Sequence, residues 1–232
     1  TILAALVLAP LTVVVGMGIP GNGYYLSGTL IVLYAIVPFF VAFEGRRPTA
    51  REIAVVAVLT ALAVAARAAF IWVPHFKPMA AIIMIAGIAA GPQTGFLVGS
   101  VAALASNFIF GQGPWTPWQM LVFGLVGLVA GLLADVRVFP RANLSWPRRI
   151  ALAVTGFVLI VGLAGPILDT STFFYLSTAP TPELAATVYL AGLPVNAIHG
   201  AATAFTLLVV ANPLLDQLAR VRVKYGLLNR SR

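Results

Sequence analysis

The sequence predicts an all-α protein, a polytopic bundle of membrane-spanning helices. Three observations predict it. The 232 residues are 61% hydrophobic and only 9% charged, where a soluble domain carries about 25% charged residues. The apolar residues fall in long runs, most of them within the ~17–25 residues that let a helix cross a bilayer. Those runs do not alternate apolar with polar residues, as the strands of a membrane barrel would, so helices are left to satisfy the backbone in lipid.

Eight spans are expected, at 2–19, 24–43, 51–72, 78–91, 93–110, 117–134, 149–168 and 185–211. The first lacks a basic leading region and a small-residue cleavage site, so it reads as a helix and not as a removed signal. "PGNG" (20–23) leads into the second. The third follows "EGRRPTARE" (44–52), a charged seam. That seam divides the chain into an N-terminal pair of spans, 1–45, and a block of six, 46–232. The fourth span is short, and "GPQT" (91–94) turns the chain straight back, because Pro92 disfavours helix at Gly91. The fifth ends in "FGQG", the sixth opens after "GQGPWTPWQM" (111–120), the seventh follows Arg148 and Arg149, and the eighth is kinked at Pro194.

The charges orient this array. Net charge is +8, but twelve of the fourteen Lys/Arg residues sit in three places. Arg46, Arg47 and Arg51 lie between spans two and three, and Arg137, Arg141, Arg148 and Arg149 between six and seven. Arg220, Arg222, Lys224, Arg230 and Arg232 follow the last span. All fall on one side, which the positive-inside rule makes the cytoplasm, with both termini there. Short basic loops without interleaved aromatics are topology signals and not a nucleic-acid surface. With no cysteine, disulfides and thiolate metal sites are excluded. No metal-ligand spacing and no phosphate loop is present, so no metal, cofactor or ATP site is expected.

Polar and aromatic side chains collect at the opposite mouth. In "GQGPWTPWQM", Pro114 and Pro117 stiffen the turn. Trp115 and Trp118 can anchor at the headgroup level; with Gln112 and Gln119 they can also hold a planar, partly polar molecule. Arg67 lies inside span three, where a cation is costly unless paired or hydrated; snorkelling to the nearby surface is the simpler reading. Asp169 and Glu183 are the carboxylates on that side that could pair with it. Asn107 ends span five and seeks partners in lipid. Asn196 and His199 share a helix face. His75 and Lys77 stand on a loop that could act as a lid. On span three, Ala57, Ala61 and Ala65 form a small-residue ridge suited to close helix approach, within the bundle or onto a second protein. Gly127 and Gly131 form a weaker pair, expected to pack internally.

The block from about Arg51 to Tyr225 resembles the substrate-binding S components of energy-coupling factor transporters. The resemblance is carried by "AVVAVLTALAVAARAAF", "HFKPMAAIIMIAGIAAGPQTGFLVGSVAALASNFIFGQGPWTPWQM" and "GLVGLVAGLL". It implies a six-helix core with two additional N-terminal helices, in the plasma membrane of a prokaryote. It also implies capture of a vitamin on the outer side and delivery through a membrane coupling subunit and two ATPases. Ala54, Ala57, Ala61 and Ala65 would then meet the coupling subunit. Substrate contacts would come from Arg67, His75, Lys77, Asn107, Gln112, Trp115, Trp118, Gln119, Asn196 and His199. The Trp/Gln loop is most similar to the cobalamin-type branch, which makes cobalamin the first candidate. The rivals are a stand-alone secondary transporter, which would want an inverted repeat and mid-membrane ionisable groups, and an intramembrane enzyme, which would want convergent reactive residues.

Overall fold

The computed structural model describes residues 11–12, 14–15, 19, 23–176 and 181–225, and these are helical apart from short connections. The helices are α1 (Gly23–Gly45), α2 (Ala50–Ala69), α3 (Met79–Ala90), α4 (Pro92–Phe110) and α5 (Thr116–Asp135). Then come α6 (Trp146–Leu159), a π-helical turn (Ile160–Ala164), α7 (Gly165–Leu176) and α8 (Pro182–Tyr225). Among the described residues, six stretches are long and apolar enough to cross a membrane: α1, α2, α4, α5, the continuous 31-residue run Trp146–Leu176, and α8. The expected span 2–19, most of "PGNG", Arg230 and Arg232 lie outside the described residues.

Two expectations are corrected. The seventh span does not stop at residue 168, because the π turn carries α6 into α7 without a break and leaves Asp169 inside a helix. The eighth span runs for 44 residues, with Pro194 and Pro213 inside it. A proline removes one helical hydrogen bond and bends the axis; here it does not end the helix.

The short α3 organises the bundle. Twelve residues rise about 18 Å, too little for a hydrocarbon core about 30 Å thick. Ten of them are nevertheless buried, and a helix that is apolar all round belongs inside other helices. Close approach to its neighbours depends on missing side chains. A Cβ at Gly87 would lie 2.1 Å from the carbonyl oxygen of Gly127, and one at Gly127 would lie 2.2 Å from that of Gly95. The Gly127/Gly131 pair therefore does pack internally, against α3 and α4. The α3–α4 turn itself is made by Gly91 at φ 99°, with Pro92 at the first turn of α4.

Hydrogen bonds define the two ends. At the basic end, Thr49 and Glu52 form a capping box on α2. Arg141 bonds Asp135 and donates to the Ile88 carbonyl at 3.1 Å. The Leu144 N–H donates to Asn212 at 3.0 Å, and the Asn143 N–H to Asp216 at 3.0 Å. Arg149 lies 4.9 Å from the Trp146 ring. The 141–144 loop thus ties the last turns of α3 and α5 to the C-terminal half of α8 there. The polar mouth lies at the other end.

Candidate functional site

Arg67, in the last turn of α2, is where the site begins. Its guanidinium donates to Ser106 Oγ and to Asn107 Oδ1 at 3.0 Å, both on α4, and lies 4.3 Å from the centre of the Phe110 ring. The expected pairing with Asp169 or Glu183 is replaced by neutral acceptors on the adjacent helix, within reach because α2 and α4 end at the same level. Asn107 is fully committed. Its Nδ2 donates to Thr116 Oγ1 at 3.0 Å and to Gln119 Oε1 at 2.8 Å. One chain of bonds therefore joins α2, α4 and α5.

The loop after α2 folds back over this network. Lys77 Nζ donates to the carbonyls of Phe70 (2.6 Å), at the C-cap of α2, and of Val73 (3.2 Å), in the loop beyond it. Burial and the nearby Arg67 charge hold the Lys77 ammonium below the usual lysine range. His75, at φ 58°, sets its ring 6.2 Å from the His199 ring at a near-perpendicular angle, and Phe76 approaches Phe205. The two histidines thus close the loop against α8.

Below the loop is a cavity. It holds about 80 Å³ of room for water-sized groups within about 550 Å³ of empty space that includes its mouth. Arg67, Lys77, Gln119, Asn196 and His199 line it together with the apolar side chains of Phe123, Ile160, Ala164 and Leu168. Asn196 is set from behind: its Nδ2 donates to Asp169 Oδ2 at 2.9 Å. Glycines make space for that pair, since a Cβ at Gly165 would strike Asn196 and one at Gly192 would strike Asp169. Among the described residues no group of three or more metal-ligating side chains occurs.

The predicted site residues separate into three sets. Arg67, Lys77, Gln119, Asn196 and His199 line the cavity. Asn107 and His75 stand behind them, each touching a lining residue. Gln112, Trp115 and Trp118 do not line it. Gln112 accepts from Thr116 at 2.9 Å and donates to the Leu104 carbonyl at 3.0 Å, which holds the loop's shape. Trp115 lies over Gly113, half exposed at the rim. Trp118, expected as a stacking platform, is buried against α1, its Nε1 donating to Thr29 at 3.2 Å; it turns away from the cavity because α1 supplies an apolar surface and an acceptor. Sequence reasoning missed Ser106, Thr116 and Phe110, each within four residues of a predicted contact, and missed Asp169 as the support of Asn196.

The alanine ridge also has a definite place. Ala54, Ala57, Ala61 and Ala65 are exposed, and the last three line an open groove between α2 and α4 with Val101 and Ala105. Among the described residues the ridge stays open. Thr60 shares the groove, its hydroxyl buried without a hydrogen-bond partner.

Comparison with known proteins matches residues 48–220 to a family described as ECF-type riboflavin transporter, S component. A UPF0397 protein of Vibrio atlanticus (strain LGP32) is 31% identical over 104 residues, 44% of this chain and 53% of that relative. A UPF0397 protein of Aliivibrio fischeri (strain MJ11) is 27% identical over 146 residues, 62% of this chain and 74% of the relative. The chain thus spans about half the length of the first relative. No solved structure matches.

Proposed function

Because the chain belongs to the family of ECF-type riboflavin transporter S components, we propose that it is the substrate-capture subunit of an ATP-driven vitamin importer. The cavity beneath the 71–78 loop is the capture site. The observation that carries this is the convergence of six polar side chains, Thr203 of α8 included, from α2, the loop, α5 and α8 on one hollow in an otherwise apolar bundle. A small number of placed polar groups in an apolar cavity is the common form of a small-molecule site. The basic end is cytoplasmic by the positive-inside rule, so the cavity opens outward and the C-terminal end of α8 lies inside.

Apolar walls accept a ring system, and the amides of Gln119 and Asn196 orient it. Ligand sites usually measure about 300–1,000 Å³, and the room here is smaller than that, so the 71–78 loop lifts to admit substrate. The compact cavity and the family's description favour a ring of flavin size over the corrin of cobalamin, the first candidate from the loop sequence. The exposed alanines of α2 receive the membrane coupling subunit, which brings two ATPase subunits; the sequence here carries no phosphate-loop motif. The test is a binding titration of the purified chain against riboflavin, cobalamin and other vitamins, with ATP as a control. One vitamin should bind and shift the emission of Trp115 at the rim. Absence of binding across the panel would falsify the capture reading.

A further inference from the structure

The polar end of the cavity has an unbalanced charge. Arg67 and Lys77 both line it, and no carboxylate does among the described residues. The acceptors of Arg67 are a hydroxyl and an amide oxygen. Those of Lys77 are backbone carbonyls. Both cations also face the Phe110 ring, at 4.3 and 5.5 Å. Asp169 is turned to Asn196 from the far side and does not line the cavity. Cations at membrane depth normally pair with a counter-charge, and two that share a mouth without one also repel each other.

The amides extend the pattern. Asn107 gives its oxygen to Arg67, so its nitrogen faces Gln119 Oε1. With that oxygen engaged, the donor Nε2 is the end of Gln119 left for a ligand. Three donor groups, two of them charged, therefore meet at one end of a hollow whose other walls are hydrocarbon.

We propose that the ligand is an organic acid. Its carboxylate or phosphate is held by Arg67 and Lys77 with help from Gln119, and its apolar body lies against Phe123, Ile160, Ala164 and Leu168. The assignment rests on the substrate-capture reading and narrows it to anionic substrates. An anion here replaces the missing counter-charge, and charge-assisted bonds of this kind are about twice as strong as neutral ones. A lipid headgroup phosphate offers the same chemistry from the surrounding membrane, so the experiment separates the two sources.

The test uses the full chain in phosphatidylcholine nanodiscs and matched acid/neutral pairs: flavin mononucleotide with riboflavin, pantothenate with pantothenol, nicotinate with nicotinamide, biotin with biotinamide. In the pair that binds, the acid should be tighter by about tenfold or more. Arg67→Gln should narrow that ratio to about twofold; if this variant does not fold, the wild-type ratio decides. A neutral member that binds as tightly as its acid overturns the anionic assignment and leaves the capture reading standing. No binding by any member, nor by the wider vitamin panel, overturns both. In nanodiscs containing phosphatidylglycerol, unchanged affinity for the acid supports a soluble ligand, whereas a loss of tenfold or more assigns the cations to a headgroup and overturns the proposal.

Discussion

The two flanks of the bundle are built on opposite plans. On one, α1 lies against α4, α5 and α7 through large interlocking rings. Phe39 stacks on Phe96 with centroids 3.8 Å apart, Tyr25 meets Tyr175 edge-on, and Trp118 fits over Gly28 and bonds Thr29. On the other, α2 and α4 leave a groove floored by alanines, with Thr60 buried and unpartnered beside it. In lipid no hydrophobic force draws helices together, so association depends on shape and on hydrogen bonds. The α1 flank meets the first requirement within the chain and the second through Trp118 and Thr29, while the Tyr25 hydroxyl stays without a partner among the described residues. The α2 flank has a smooth shape and an unpartnered hydroxyl, and among the described residues it meets neither requirement.

Three substitutions sharpen or break that contrast. The largest effect is expected from Trp118→Ala, which empties the α1 contact and should cost about 3 kcal/mol of stability, toward the lower bound for large aromatic truncations. A thermal melt in detergent would read it, and an unchanged midpoint would mean that α1 is only loosely attached. Next comes Ala61→Trp. It should leave the melt and vitamin binding as they are while weakening co-purification with a coupling subunit by about 2 kcal/mol or more. Loss of fold instead would turn the α2 face into an internal surface. The smallest effect is expected from Thr29→Val, which strips the Trp118 indole of its acceptor at nearly constant volume. About 1 kcal/mol should be lost, and a neutral result would leave ring packing alone to hold the flank.

Much of the fold could be read from the chain because spans and charged loops are linear features. The seam at 44–52, the turn at Gly91 and Pro92, and the basic residues between spans two and three and between six and seven sit where helices begin and end, whereas Arg220, Arg222 and Lys224, expected to follow the last span, lie within the C-terminal part of α8. The seventh span reads as ending at residue 168 because nothing local in "LIVGLAGPILDT" marks a π turn or shows that the helix runs on to Leu176. The site was legible by residue type and not by direction. Arg67, Asn107 and Asn196 stood out as polar groups in lipid, but pairing Arg67 with a carboxylate followed from charge alone, which knows nothing of helix phase. Trp118 was misdirected for the same reason: one helical position, about 100° of rotation, separates facing the cavity from facing α1.

Composition, run length and charge placement determined by themselves that this chain is a multi-helix membrane protein with one basic end and one polar mouth, because those properties act on each segment separately through its transfer into lipid. Which polar groups meet, and which face stays open, was decided by the tertiary structure. Those outcomes depend on how closely helices approach, and here the approach was set by glycines at 87, 95 and 127 that bring α3, α4 and α5 together and so place the ends of α2 and α5 and the middle of α8 around one hollow.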